Sequence, residues 1–293
     1  MYQEVAVDPK CLSEYHYYGL LKERFGFEAG RYVIAPVREW AREAFIAAKN
    51  SKELQPVKKK SIINFLNKLQ KSKDQDRFAL PIHRSEINVE NWTDWCTKQT
   101  EYLPFNSILS EQFEGAIGYV DIIERHASWH LPPTVTINRT SQEISACIAP
   151  IVRYGGNLTI VDQYFCFAPN PVLHNIFLML QQYQSIRSIT LVTAIDVAQP
   201  EVVFKCDYVD NFKLLPNFSL VIAPEKFFHD RYLMTEYCGI KSGHGFSPGA
   251  IQGAQADKLS ISLCSKHECE ETHQWIEAIV TDGRARKLRL TEK

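Results

Sequence analysis

The chain has 293 residues, enough for one large or two ordinary domains, and its 45% hydrophobic content can fill a core. A formal net charge of −1 excludes any global electrostatic drive toward nucleic acid or anionic membrane, so such binding must come from a local patch. No stretch approaches the roughly 18 apolar residues of a spanning helix. The segment Met1 to Asp8 lacks the basic-then-apolar pattern of a secretory leader, and eight scattered cysteines fit reduced thiols in a cytoplasmic protein.

From Leu12 to about Ile123 the pattern is mostly helical, giving a helical N-terminal region over residues 1–130. Glu39 to Lys49 is rich in helix formers, and Ile62, Ile63, Phe65, Leu66 and Leu69 recur on one helical face. Lys71 to Asp76 is a polar loop. Asn91 or Thr93 caps a further helix, and Phe105 to Ile123 is predicted to form another.

Residues 131–293 are predicted to form an α/β domain. Thr134 to Ile137 is a short strand, and Ser141 to Tyr154 a helix closed by Gly155-Gly156. Leu158 to Phe165 is strongly β-forming and breaks at Pro169 and Pro171. A helix over Val172 to Tyr183 follows, then strands at Ser188 to Ala194, Val202 to Lys205, Phe218 to Ala223, Phe228 to Met234 and Lys258 to Leu263. A helix from about Cys269 to Val280 completes a mixed-sheet α/β sandwich.

The candidate chemistry centres on His229-Asp230-Arg231, followed by Glu236 and Gly243. On a strand, His229 and Arg231 project to one face. An imidazole beside a fixed cation, with a carboxylate five residues on, suits gripping and attacking a phosphate. The plain alternative is a structural ion pair. The glycine-rich stretch Gly239, Gly243, Gly245, Gly249 and Gly253, with Ser242 and His244, can turn amides toward an anion or simply make turns. Asp162 and Tyr164 end a strand, where α/β sheets bind ligands, although such an aspartate also serves as a helix cap.

The spacing His229-x-Arg231, four residues, Glu236, six residues, Gly243-His244 resembles the H-x-K-x4-D-x6-G-S/T motif of the phospholipase D superfamily. Ile160-Val161-Asp162-Gln163-Tyr164 is similar to that family's opening strand. The triplet also resembles the non-catalytic branch typified by the C-terminal domain of MIT-domain-containing protein 1. The resemblance covers about Ile144 to Val280. It implies a phospholipase D-like mixed-sheet sandwich and a metal-independent phosphodiesterase. In that scheme His229 attacks phosphorus, a second subunit's histidine protonates the leaving oxygen, Glu236 orients an imidazole and Arg231 neutralises charge. Ser242, Gly243, His244, Asp162 and Tyr164 would contact phosphate. A single motif implies a homodimer.

The departures matter. Glu236 replaces the expected Asp, and Arg for Lys and His244 for a small hydroxyl residue crowd the pocket, so binding without turnover is the competing reading. No cofactor is expected. Cys264, His267, Cys269 and His273 are four potential zinc ligands at spacing unlike a zinc knuckle. Lysines and arginines between Lys52 and Arg77, and from Arg284 to Arg289, could meet nucleic acid, anionic lipid headgroups or solvent. Two functions therefore compete: a diverged nuclease or phosphate-binding module, of a kind that resembles components of bacterial defence or mobile-element systems, and a dimerising adaptor for protein partners.

Overall fold

The computed structural model describes residues 1–85, 89, 91–249 and 257–291. The chain forms two compact units, Tyr2–Leu131 and the part from Pro132 onward. Both are α/β.

The first unit is mainly helical and is built around a four-stranded sheet that the sequence reading did not anticipate. Its strands are β1 (Gln3–Val7), β2 (Arg31–Ile34), β3 (Phe78–Ala79) and β4 (Ser107–Leu109), in the order β3-β2-β1-β4, with every pairing parallel. Parallel strands require crossovers. These are supplied by α1 (Tyr15–Glu23), α2 (Val37–Asn50), α3 (Pro56–Gln70), α4 (Ile82–Ser85) and α5 (Trp92–Tyr102). A short α6 (Tyr119–Ile123) follows β4.

Trp40 of α2 is fully buried, donates from Nε1 to the Val7 carbonyl at 2.6 Å and meets Phe78 edge-on at 5.0 Å. Asn91 caps α5 by accepting from the Asp94 amide. The predicted Phe105–Ile123 helix is instead β4, a turn segment and α6. Ser107 and Leu109 alternate inward with strand period, while Gly115 and Gly118 interrupt any helix.

The second unit carries an eight-stranded mixed sheet. In chain order its elements are β5 (Thr134–Asn138), α7 (Ser141–Tyr154), β6 (Gly156–Val161), α8 (Pro171–Tyr183), β7 (Ile186–Thr193), α9 (Pro200–Phe204), β8 (Asn217–Ile222), β9 (Arg231–Met234), β10 (Gly239–Ser242), β11 (Lys258–Leu263), α10 (Lys266–Thr281) and β12 (Arg286–Arg289). The sheet order is β12-β8-β7-β6-β9-β10-β11-β5. β6, β7 and β8 are parallel, and the remaining pairings are antiparallel.

Register lines up one apolar row across seven strands: Leu288, Leu220, Leu191, Ile160, Leu233, Ile240 and Leu263. A one-residue slip would exchange this row for Thr159 or Tyr232, so the register is strongly specified. Beneath the sheet, Phe177 of α8 contacts Phe204, Tyr208, Phe212 and Phe218 in one aromatic cluster.

Helix starts follow side-chain chemistry. Thr140 accepts from the Glu143 amide at the head of α7, Asn170 from the Val172 and Leu173 amides at α8, and Ser265 forms a capping box with Glu268 at α10. Val202 to Lys205, expected as a strand, is helical, because Pro200 stands at a first helical turn and Phe204 buries against Phe177. β12 is an edge strand whose Arg286, Lys287 and Arg289 are exposed, a charge pattern that discourages edge pairing.

Candidate functional site

The sequence motif divides among three places. β9 begins at Arg231, so His229 and Asp230 lie in a bend before the strand rather than on it. The expected projection of His229 and Arg231 from one strand face therefore does not occur. Phe228 is buried against Trp275 of α10 at 6.0 Å, edge-on, and this anchoring, with the preceding turn at Glu225–Phe227, shortens the strand.

His229 lines a cleft of about 210 Å³ with Asp230, Tyr232, Glu268, Glu271 and Trp275. Asp230, Glu268 and Glu271 make it acidic. Lys241 offsets one of these charges, donating to Glu268 Oε1 at 2.5 Å. Burial, and then the charges of Asp230 and Glu268, push the Tyr232 hydroxyl above its ordinary range. His229 itself is exposed and makes no side-chain hydrogen bond among the described residues. A phosphodiester entering this cleft would meet like charge, which opposes attack by His229.

Arg231 serves the opposite face. Tyr232 is registered with Val161, which lines the His229 cleft, so alternation sends Arg231 and Leu233 to the other side. There Arg231 Nη1 donates to the Gly243 carbonyl at 2.9 Å, and its guanidinium carbon lies 5.9 Å from the Tyr164 ring centre. Arg139, unsuspected from sequence, donates from Nη2 to the His244 carbonyl at 2.9 Å and from Nε to the Ser247 carbonyl at 3.0 Å. No local sequence pattern marks it, since it simply precedes the α7 cap.

Asp162 ties this region together. It is 2% exposed and accepts from the Tyr164 amide at 3.0 Å and the Phe246 amide at 2.8 Å. Burial raises its carboxyl pKa, against the opposing pull of those two amides and of Arg231 and Arg139. Gly245, at φ 83°, leaves room for it, because a Cβ there would collide with Asp162 Oδ2. Ser242 Oγ accepts from the His244 amide at 3.3 Å, which holds the Ser242-Gly243-His244 turn. Tyr164 stays 56% exposed, with Glu225 pushing its hydroxyl pKa upward. Asp162, Tyr164, Arg231, Ser242, Gly243 and His244 thus share one end of the sheet. Gly253 lies outside the described residues.

Glu236 does not belong to this group. At the other end of β9 it accepts from the Asn157 amide, Asn157 Nδ2 and Arg187 Nη2 at 2.8, 2.5 and 2.9 Å. It cannot orient an imidazole of the motif while it fastens the starts of β6 and β7. Nor do the four possible zinc ligands converge. Cys264 and Cys269 approach to 3.1 Å between sulfurs, His267 faces Glu271, and His273 contacts Thr159 Oγ1 at 3.2 Å.

In the first unit, the sheet order reverses direction between β1 and β4, a position where α/β sheets form crevices. Asp8 directly follows β1 and accepts from Ser110 Oγ at 2.7 Å, while Tyr17 donates to Glu111. The signal for Asp8 was available in Val5-Ala6-Val7-Asp8, an apolar run ending in aspartate, as at Asp162.

No family model matches this chain, and no curated protein is matched. Among solved structures it is similar to TrmBL2, an archaeal chromatin protein whose structure is described as showing a novel mode of DNA binding. That likeness has a TM-score of 0.32 at 12% identity, over 92% of this chain and 98% of that one. Among the described residues no helix is long and apolar enough to cross a membrane.

Proposed function

We propose that the second unit is a lapsed phospholipase D-like domain that binds the phosphodiester backbone of nucleic acid without cleaving it. The observation that carries this reading is the separation of the motif. Arg231 sits with the exposed Tyr164, whereas His229 lines an acidic cleft and Glu236 is engaged elsewhere. An exposed ring beside a guanidinium offers a base a stacking surface and its phosphate a cation, a combination used on single strands. Nucleophilic catalysis would need an imidazole with an orienting partner near the phosphate cation. The ancestry rests on the motif spacing and on Asp162-x-Tyr164 at the end of β6.

The test is fluorescence anisotropy with single- and double-stranded DNA and RNA oligonucleotides in EDTA, with cleavage followed on gels. Binding that requires Arg231 and Tyr164, without cleavage, is the expected result. Cleavage that disappears in His229→Ala would overturn the reading in favour of a nuclease acting through a homodimer. Light scattering on the same sample reads the oligomeric state that a two-histidine mechanism requires. Absence of binding to every oligonucleotide would favour the adaptor reading, with protein partners in place of nucleic acid.

A further inference from the structure

The first unit holds a cavity of about 650 Å³, within the roughly 300–1,000 Å³ range of small-molecule sites. At its wall Arg31 is 8% exposed. Its Nε donates to Gln3 Oε1 at 2.8 Å, its Nη2 to the Trp129 carbonyl, and its guanidinium carbon lies over the Trp129 ring, 4.2 Å from the ring centre. These contacts fix the group in place but leave its charge uncompensated, for Arg31 has no carboxylate within ion-pair range among the described residues. Burial, and then the like charge of Arg24, lower its pKa to about 10. A buried cation without a counter-charge costs stability, and an arriving anion removes that cost.

The remaining wall has the same bias. Among the described residues, Arg24 and Arg125 both line the cavity and have no ion-pair partner, and Glu23 is the one acidic residue in its lining. Arg125 stands just past the end of α6 in the left-handed region, at φ 60°. Glycine is the usual residue at such a helix end. The chain accepts backbone strain there and places a cation on the cavity. Flat surfaces accompany the charge: His16 lies against Tyr119 at 4.1 Å, with Glu14 3.2 Å from His16 Nε2. Guanidinium groups that can fork onto phosphate oxygens, beside aromatic rings, match a small phosphorylated ligand with a planar ring.

We infer that this cavity binds a nucleoside monophosphate, its phosphate among Arg24, Arg31 and Arg125 and its base against the Tyr119–His16 surface. The site is independent of the nucleic-acid reading of the second unit.

Titration calorimetry on the full chain tests this with AMP, GMP, CMP and UMP, and with inorganic phosphate as the ring-free control. At least one nucleotide is expected to bind tenfold or more tightly than phosphate. Arg24→Ala and Arg125→Ala, both at exposed positions, should each weaken binding about tenfold without a change in thermal midpoint. Tyr119→Leu should bring the nucleotide down to the phosphate level, and Arg231→Ala should leave binding unchanged. Arg31→Gln adds a buried probe if it folds; the two exposed arginine variants decide the matter if it does not. No heat with any nucleotide, equal affinity for phosphate, or affinity unchanged in both Arg24→Ala and Arg125→Ala would overturn the inference. Loss of nucleotide binding in Arg231→Ala would also do so, by moving the site to the second unit.

Discussion

Glu236 closes over Gly156, and the two occupy complementary space. The carboxylate accepts from both the amide and Nδ2 of Asn157, and a Cβ on Gly156 would collide with Glu236 Oε2. Gly156 also has φ 101°, a conformation that side chains rarely adopt. Gly156→Ala should therefore destabilise by two separable routes, backbone strain of roughly 1–2 kcal/mol and the collision. Adding Glu236→Ala removes the collision together with the hydrogen bonds from Asn157 and Arg187, which the single Glu236→Ala variant measures alone. A denaturant double-mutant cycle should show coupling of about 0.5–3 kcal/mol. Strict additivity would mean that Glu236 moves aside freely when Gly156 gains a Cβ.

This pair shows how far the sequence could be read. The Glu236 spacing from His229 was visible, but spacing along a chain does not reveal which end of a four-residue strand a side chain serves. The α/β pattern of the second unit was legible because Leu158–Val161 and Phe218–Ile222 are β-forming runs that are apolar except at Thr159 and Ser219, and Thr140, Asn170 and Ser265 are clear caps. The first unit's sheet was not legible. Its strands span two to five residues, too few to display a period, and Glu4 and Arg31 place charge inside them. Arg139 and Arg31 were missed for another reason: their partners are carbonyls and rings far along the chain, which no local window contains.

The charge inside β1 has a measurable role. Arg84 is fully buried and donates from Nε to Glu4 Oε2 at 2.5 Å, with His83 Nε2 at 3.4 Å from Glu4 Oε1. Gln99 donates to the Arg84 carbonyl at 2.7 Å, and the guanidinium lies 4.1 Å from the Phe105 ring centre. Removing one partner leaves a buried charge uncompensated, so Glu4→Ala is expected to cost about 3–5 kcal/mol. Glu4→Leu combined with Arg84→Met should recover much of that loss in thermal unfolding. Equal losses in the single and double variants would show that packing rather than charge dominates.

Glu143 gives a pH signature at the head of α7. Hydrogen bonds from the Asn138 side chain and then the Asn138 amide hold its carboxyl below the ordinary 4.5. The folded state therefore binds this proton less readily than the unfolded state. The stabilisation is present above the unfolded pKa and is lost as pH falls through the lower folded value. Carbon-detected NMR should place the Glu143 midpoint below 4.5. Asn138→Ala should return it toward 4.5 and flatten the acid limb of stability. A Glu143 midpoint that is the same in both proteins would remove Asn138 as the cause.

The separation of Arg231 from His229 predicts different salt behaviour for the two. If Arg231 contacts a phosphate, its removal should lower affinity for every sequence alike and reduce the slope of log K against log salt by about 0.7 for single strands. Tyr164→Ala should cost about 1–3 kcal/mol of stacking while leaving that slope intact, because the ring carries no charge. His229→Ala should change neither, since its cleft is acidic and lies across the sheet from Arg231. Asp230→Asn serves as the control on that side: removing one negative charge there should raise affinity only if nucleic acid passes the cleft. A slope change in His229→Ala equal to that in Arg231→Ala would show that one bound strand reaches both faces, and the two-face description would have to be abandoned.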